Sequence, residues 1–172
     1  MTGKLQLAMF TPKSEWVPPQ DLPDLSAEKE IAIDLETCDP DLKTKGPGWA
    51  TSNGEVVGFA VHVHNWTGYV PIRHLGGGNL DERIVKKWLN KICGGPGDKI
   101  FHNAQYDVGW LRQYGIQVNG RIIDTMLTAS LIDENRFSYS LNALCYDYLG
   151  QTKSEKTLNE AAQDFGVDPK AE

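Results

Sequence analysis

The chain has 172 residues, with 17 Lys+Arg against 23 Asp+Glu, and a formal net charge of −6. That length supports one domain with a real core, or one domain plus an arm, and 40% apolar with 23% charged residues excludes general disorder. The acidic balance excludes a protein that holds nucleic acid through a broad basic surface, but not an enzyme that meets phosphates through bound metal ions. No apolar run approaches the ~20 residues that span a bilayer. The longest candidate, Val56 to Val63, already contains Gly58 and His62, so no membrane association is expected. Met1 to Lys13 has Lys4 and a short apolar patch but no signal-peptide core, so a cytoplasmic protein is expected. Cys38, Cys93 and Cys145 are an odd number, far apart, with no CxxC. They argue against a disulfide scaffold and against a cysteine-based zinc site.

Residues 1–28 read as an irregular arm, because Pro12, Pro18, Pro19 and Pro23 stand among Asp and Ser. The domain proper is expected over 29–172. Its first element is a strand over Glu30 to Glu36, with Ile31, Ile33 and Leu35 on one face and Ala32, Asp34 and Glu36 on the other. Thr37 to Asn53 reads as a loop. Glu55 to His64 and Gly68 to Ile72 read as a hairpin joined by Asn65, Trp66 and Thr67. After Gly76 to Gly78 comes a helix from about Leu80 to Cys93, striped by Ile84, Val85, Trp88, Leu89 and Ile92 and capped by Asn79 or Asp81. A short strand over Lys99 to His102 precedes a helix over Asn103 to Tyr114, ended by Gly115. Arg121 to Ile123 is a short strand, and Asp124 can cap the helix that runs to about Asp133. Helices over Leu141 to Leu149 and Leu158 to Phe165 complete the chain. The predicted fold is α/β: three antiparallel strands, then parallel strands, in a mixed sheet flanked by helices.

The chemistry concentrates in three acids. Asp34 and Glu36 are two apart on a strand, so both carboxylates point the same way. Two like charges side by side on a central strand are costly unless a cation sits between them, and a hard divalent ion does this well. The other reading is that this face is solvent and the acids are ordinary surface residues. Asp107 lies three, four and seven positions before Trp110, Leu111 and Tyr114, so it sits on or beside the inward stripe of its helix. An inward carboxylate needs a metal, or else a Lys, Arg or backbone partner.

At this point the sequence resembles a known family. IAIDLET at 31–37 is similar to the first motif of DEDD-type 3′–5′ exonucleases, and HNAQYDVGWL at 102–111 to the second. YVPIRHLGGGNLDE at 69–82 resembles a segment of the proofreading exonuclease domains of family A, polymerase I-like DNA polymerases. IIDTMLTASLIDENRFSYSLNALCYDYLG at 122–150 resembles the Asp-Thr and Ser-Leu helices of the same family. The four motifs stand in this order, and the resemblance covers about 29–172. The resemblance implies an RNase H-like fold and two divalent metal ions, Mg²⁺ or Mn²⁺. It makes Asp34, Glu36 and Asp107 the metal-binding and catalytic acids: Asp34 bridging both ions, Glu36 also orienting the attacking water, Asp107 on the second ion. It puts Thr37, Asn103 and Leu35 at the substrate. Tyr106 stands behind these as packing, and Asp124 as support or helix cap. It implies a single-stranded DNA 3′ end as substrate, nucleoside 5′-monophosphates as products, and a polymerase domain in the same or a separate chain. A bacterial cell or a phage-infected host is the expected setting.

The sequence departs from this family in one place. The fourth carboxylate belongs to a later motif, Tyr-x-x-x-Asp in the polymerase branch; that pattern is not found in the second half, and the one His-x-x-x-x-Asp match, His102 to Asp107, is the second motif itself. The expectation is that the motif lies beyond Glu172, or in a partner chain, and that this chain alone binds metal poorly. Two other readings stay open: an RNA 3′-end trimming exonuclease of the same superfamily, separable by 2′-hydroxyl recognition, or a catalytically incomplete nucleic-acid-binding or interaction domain. Among the remaining residues, Asp39 and Asp41 read as turn residues. His62 and His64 lack a third ligand, and Gly76 to Gly78 lack the Lys-Ser/Thr of a P-loop. Trp49 and Trp66 could stack unpaired bases or pack the arm.

Overall fold

Alternation of apolar residues builds the first strand, and the computed structural model, which describes residues 17–75 and 78–151, carries it two residues further than the periodicity predicts: β1 is Glu30–Cys38. Ile31, Ile33 and Leu35 are buried, whereas Asp34 and Glu36 are exposed. The predicted loop after β1 holds two single-turn helices, α1 (Leu42–Lys45) and α2 (Gly48–Thr51). Elements this short carry no periodicity. α2 forms because Pro47 O accepts from Ala50 and Thr51 N–H, and α1 because Asp41 O accepts from Thr44 and Lys45 N–H.

β2 (Glu55–Val63) and β3 (Trp66–Pro71) form the expected hairpin. Val63 pairs with Trp66, so the turn is only His64-Asn65, and Trp66 and Thr67 belong to the strand rather than to the connector. α3 (Glu82–Gly94) is capped by Asp81, whose side chain accepts from Arg83 N–H; Asn79 instead exchanges two hydrogen bonds with the backbone of His74. β4 (Asp98–Phe101), α4 (Ala104–Gln113), β5 (Ile122–Asp124) and α5 (Thr125–Ile132) follow. α6 (Leu141–Leu149) is the last described helix, and the predicted helix at 158–165 lies outside the described residues.

The sheet order is β3-β2-β1-β4-β5. β1–β2 and β2–β3 are antiparallel, and β1–β4 and β4–β5 are parallel. This is the mixed sheet that the order of elements predicts, with β1 central. One core cluster joins Ile31, Phe59, Val61 and Val70 of the sheet to Val85, Leu89 and Ile92 of α3 and to Val108, Trp110 and Leu111 of α4. Each such fully buried aliphatic side chain contributes roughly 1.5–3 kcal/mol relative to exposure. Residues 17–28 contain no helix or strand, yet Leu25 is buried in this core, and Trp88 Nε1 donates to Pro23 O at 2.6 Å. This stretch is therefore part of the packing. Val17–Leu141 forms one compact unit; the described residues from Asn142 to Gln151, which hold nearly all of α6, do not belong to it. Among the described residues the three cysteines are free, and no helix is long and apolar enough to cross a membrane.

Candidate active site

The apolar stripe of β1 must face the core, so its alternate residues are forced to the other face. Asp34 is paired in register with Ala60 and Glu36 with Gly58. A register irregularity follows at Glu36/Thr37, where Thr37 pairs with Val56 and Val57 is passed over. Such a bulge increases twist and re-aims the side chains beside it. Gly58 is required here: a Cβ would overlap the hydroxyl and ring of Tyr69, which lies across β2 from β3. Burial, and then the charge of Glu36, push the Tyr69 phenol up to about 12. Its hydroxyl is hydrogen-bonded to His74 Nε2.

α4 brings the third acid. Ala104, Asp107, Val108, Trp110 and Leu111 are its buried residues, as the stripe predicts. Asp107 is only 3% exposed. Its Oδ1 accepts from Leu35 N–H at 3.2 Å, the peptide between Asp34 and Glu36. Burial pushes the Asp107 carboxyl up to about 7. The charge of Asp34 adds to this, the Leu35 N–H opposes it, and Asp124 contributes a smaller upward push. An acid in this setting is short of positive charge at neutral pH.

Asp124 caps two helices at once. Its carboxylate accepts from Met126 and Leu127 N–H at the start of α5, and from Asn103 and Ala104 N–H at the start of α4. It thereby fixes the first turn that carries Asp107. Asn103 sits before that turn at φ 68° with no capping bond from its own side chain, which is exposed.

Beyond the bulge, Thr37 Oγ1 and Tyr106 Oη are 2.8 Å apart, and Tyr106 Oη donates to Asp39 Oδ2 at 3.0 Å. Gly48 N–H donates to the same Asp39 oxygen at 2.9 Å. Tyr106 is thus a polar bridge as well as packing, with burial pushing its phenol up. Asp39 is an anchor rather than a simple turn residue. Nothing in its one-letter context announces this, because its partners are 9 and 67 positions away.

The structure also places the remaining candidates. The Leu35 side chain is 6% exposed and packed in the core, so only its main chain is at the site. Trp49 lies against Gly109, where a Cβ would overlap its indole, and Trp66 meets Trp88 edge-on with centroids 6.0 Å apart; both rings are engaged in packing rather than open for base stacking. His62 Nδ1 contacts Thr67 Oγ1 at 2.6 Å. Among the described residues, no three His, Cys, Asp or Glu side chains already converge to hold a metal ion. Asp34, Glu36 and Asp107 form an open acidic edge rather than a closed cage.

A family model described as 3′–5′ exonuclease matches residues 22–170. The chain is 37% identical, over 96% of its length, to a DNA-directed DNA polymerase of Pseudomonas phage M6, of which it covers 26%. It is 31% identical over 60% of its length to DNA polymerase I of Synechocystis sp., covering 12% of that protein. The chain therefore spans about a quarter or less of these relatives. In fold it is similar to Brucella melitensis NrnC with bound Mg²⁺ (TM-score 0.54, 19% identity, 85% of this chain and 69% of that one). It is also similar to the structure of Pol1 from M. smegmatis in complex with DNA primer-template and dNTP (TM-score 0.56, 18% identity, 74% and 20%).

Proposed function

We propose roles for these residues from one premise: the chain belongs to the 3′–5′ exonuclease family of family A DNA polymerases. It is an exonuclease domain of the polymerase I-like type, a phosphodiester hydrolase by family. In our reading it removes nucleotides one at a time from the 3′ end of single-stranded DNA and releases nucleoside 5′-monophosphates. It does so as the proofreading part of a polymerase whose synthetic domain lies in the same or a separate chain.

The observation that carries this reading is the Asp107–Leu35 hydrogen bond, which ties the acid of α4 to the peptide between the two acids of β1. Asp34, Glu36 and Asp107 offer only carboxylate oxygens, the donor set suited to Mg²⁺ or Mn²⁺. The openness of the edge suits an ion that takes one or two carboxylates and completes its shell with water and substrate phosphate. When bound, a pair of such ions would acidify the attacking water and offset charge on the leaving 3′-oxygen. Glu36, exposed beside the bulge, would accept the hydrogen bond that aims the water. Asp107 would give up its proton on binding a cation, since burial and Asp34 are what hold that proton. Thr37 and Asn103 would contact the terminal nucleotide, and Asp124 would keep α4 in place.

The test is release of mononucleotides from 3′-labelled single-stranded DNA with Mg²⁺ or Mn²⁺, beside an Asp34→Ala control and an RNA oligonucleotide of the same sequence. Release from DNA that disappears in the control is expected, and it should be slow while the family's fourth carboxylate is not supplied. Release that survives Asp34→Ala would contradict the assignment, and faster release from RNA would move the reading to RNA 3′-end trimming.

A further inference from the structure

Hydrogen-bond polarity past the bulge carries one more step. Tyr106 has a single hydroxyl proton, and it is donated to Asp39 Oδ2. An ionised carboxylate accepts only. The 2.8 Å contact between Thr37 and Tyr106 must then be made with the Thr37 proton. Three features fix this direction. Gly48 N–H holds the accepting oxygen of Asp39 in place. Asp39 Oδ1 is buried without a hydrogen-bond partner among the described residues, so the carboxylate gains nothing by turning. An ordinary phenol is protonated at neutral pH. Thr37, half-buried and one residue from Glu36, is left with its proton directed at Tyr106 and its lone pairs as its remaining hydrogen-bonding capacity.

We propose that Asp39 is a positioning residue for substrate specificity: through Tyr106 it holds the Thr37 hydroxyl as an acceptor, so the site favours a strand that ends in a free hydroxyl over one that ends in a phosphate. A terminal hydroxyl brings a proton to that acceptor. A terminal phosphate brings negative oxygens to a lone pair. The proposal rests on the exonuclease reading and adds a residue that the motif resemblance does not include.

The experiment is fluorescence anisotropy of two otherwise identical single-stranded DNA oligonucleotides, one ending in 3′-hydroxyl and one in 3′-phosphate. Ca²⁺ replaces Mg²⁺ so that the ends are not consumed. The wild-type chain should favour the hydroxyl end by about five- to tenfold, the scale of one hydrogen bond gained or lost. Asp39→Ala frees the Tyr106 proton to point at Thr37, and the preference should fall to within about twofold. Tyr106→Phe keeps the ring, removes the relay and should do the same, which carries the test if Asp39→Ala does not fold. Asp39→Asn still offers an oxygen to Tyr106 and Gly48 and should restore the preference, a rescue that simple loss of packing would not give. Equal wild-type binding of the two ends would overturn this proposal alone, as would an unchanged preference in folded Asp39→Ala and Tyr106→Phe. Failure to bind either end, together with no Asp34-dependent nucleotide release, would overturn the exonuclease reading and this proposal with it.

Discussion

Lys99 and Asp107 are the two charged side chains buried among the described residues, and they are satisfied in opposite ways. Lys99 Nζ donates to Gly95 O, Gly97 O and Asn119 O at 2.8, 2.6 and 3.0 Å, which uses all three of its protons. Burial draws its pKa down, but the ammonium sits in a shell of carbonyls that joins the turn before β4 to the approach to β5. Asp107 has two backbone N–H groups, that of Leu35 and its own, and two acids for company. The first buried charge is complete, and it holds the architecture together. The second is left short of a counter-charge beside the exposed acids of β1, and it marks the site. Burial alone does not distinguish the two; what the charged group is given as partners does.

Substitutions separate these cases. The largest effect is expected for Asp107→Asn. Nucleotide release should fall by at least about 100-fold, because the proposed function makes this acid a metal ligand. Stability should move the other way. An acid raised from 3.8 to about 7 in the folded chain binds more protons folded than unfolded across that interval, so the wild type loses stability as pH rises from about 4 to about 7. The neutral amide escapes this loss, and its oxygen can still accept from Leu35. Urea melts at pH 8 should show Asp107→Asn more stable than wild type by about 1–4 kcal/mol, and the gap should close near pH 4. A destabilised Asp107→Asn would break the comparison.

Lys99→Met is expected to do the reverse. It leaves three carbonyls without their donor and should cost about 2–3 kcal/mol in the same melts. The Mn²⁺-dependent rise in melting temperature, a mass-action effect, should be kept by Lys99→Met and lost by Asp107→Asn. Gly58→Ala should cost about 1–2 kcal/mol by driving the Tyr69 ring off β2. It should also release His74, which a change in the imidazole NMR shifts would report. Lys91→Ala sets the floor. Its 2.6 Å pair with Asp24 is exposed on both sides and is expected to leave the melting curve unchanged.

The sheet was largely legible in the sequence because β1, β2 and β3 alternate and α3 and α4 carry clear apolar stripes. Of the site, the inward placement of Asp107 was legible from its spacing to Trp110 and Leu111, and the cap at Asp124 from its position before an apolar run. What was hidden depends on partners distant in sequence. The three acceptors of Lys99 come from two different turns. The role of Asp39 needs α2 and α4 in place. The approach of Tyr69 to Glu36 follows from the pairing of three strands and from a glycine between them. α1 and α2 were hidden for a different reason: four residues are too few to show a helical period.

Asp107 is proposed to be a buried acid waiting for a cation. This is tested most directly by following its carboxyl carbon by NMR from pH 4 to pH 9, without and with Mg²⁺. An inflection near 7 is expected without the ion, and a shift toward the ordinary carboxylate range with it. An inflection already near 4 without the ion, or one that Mg²⁺ does not move, would contradict it.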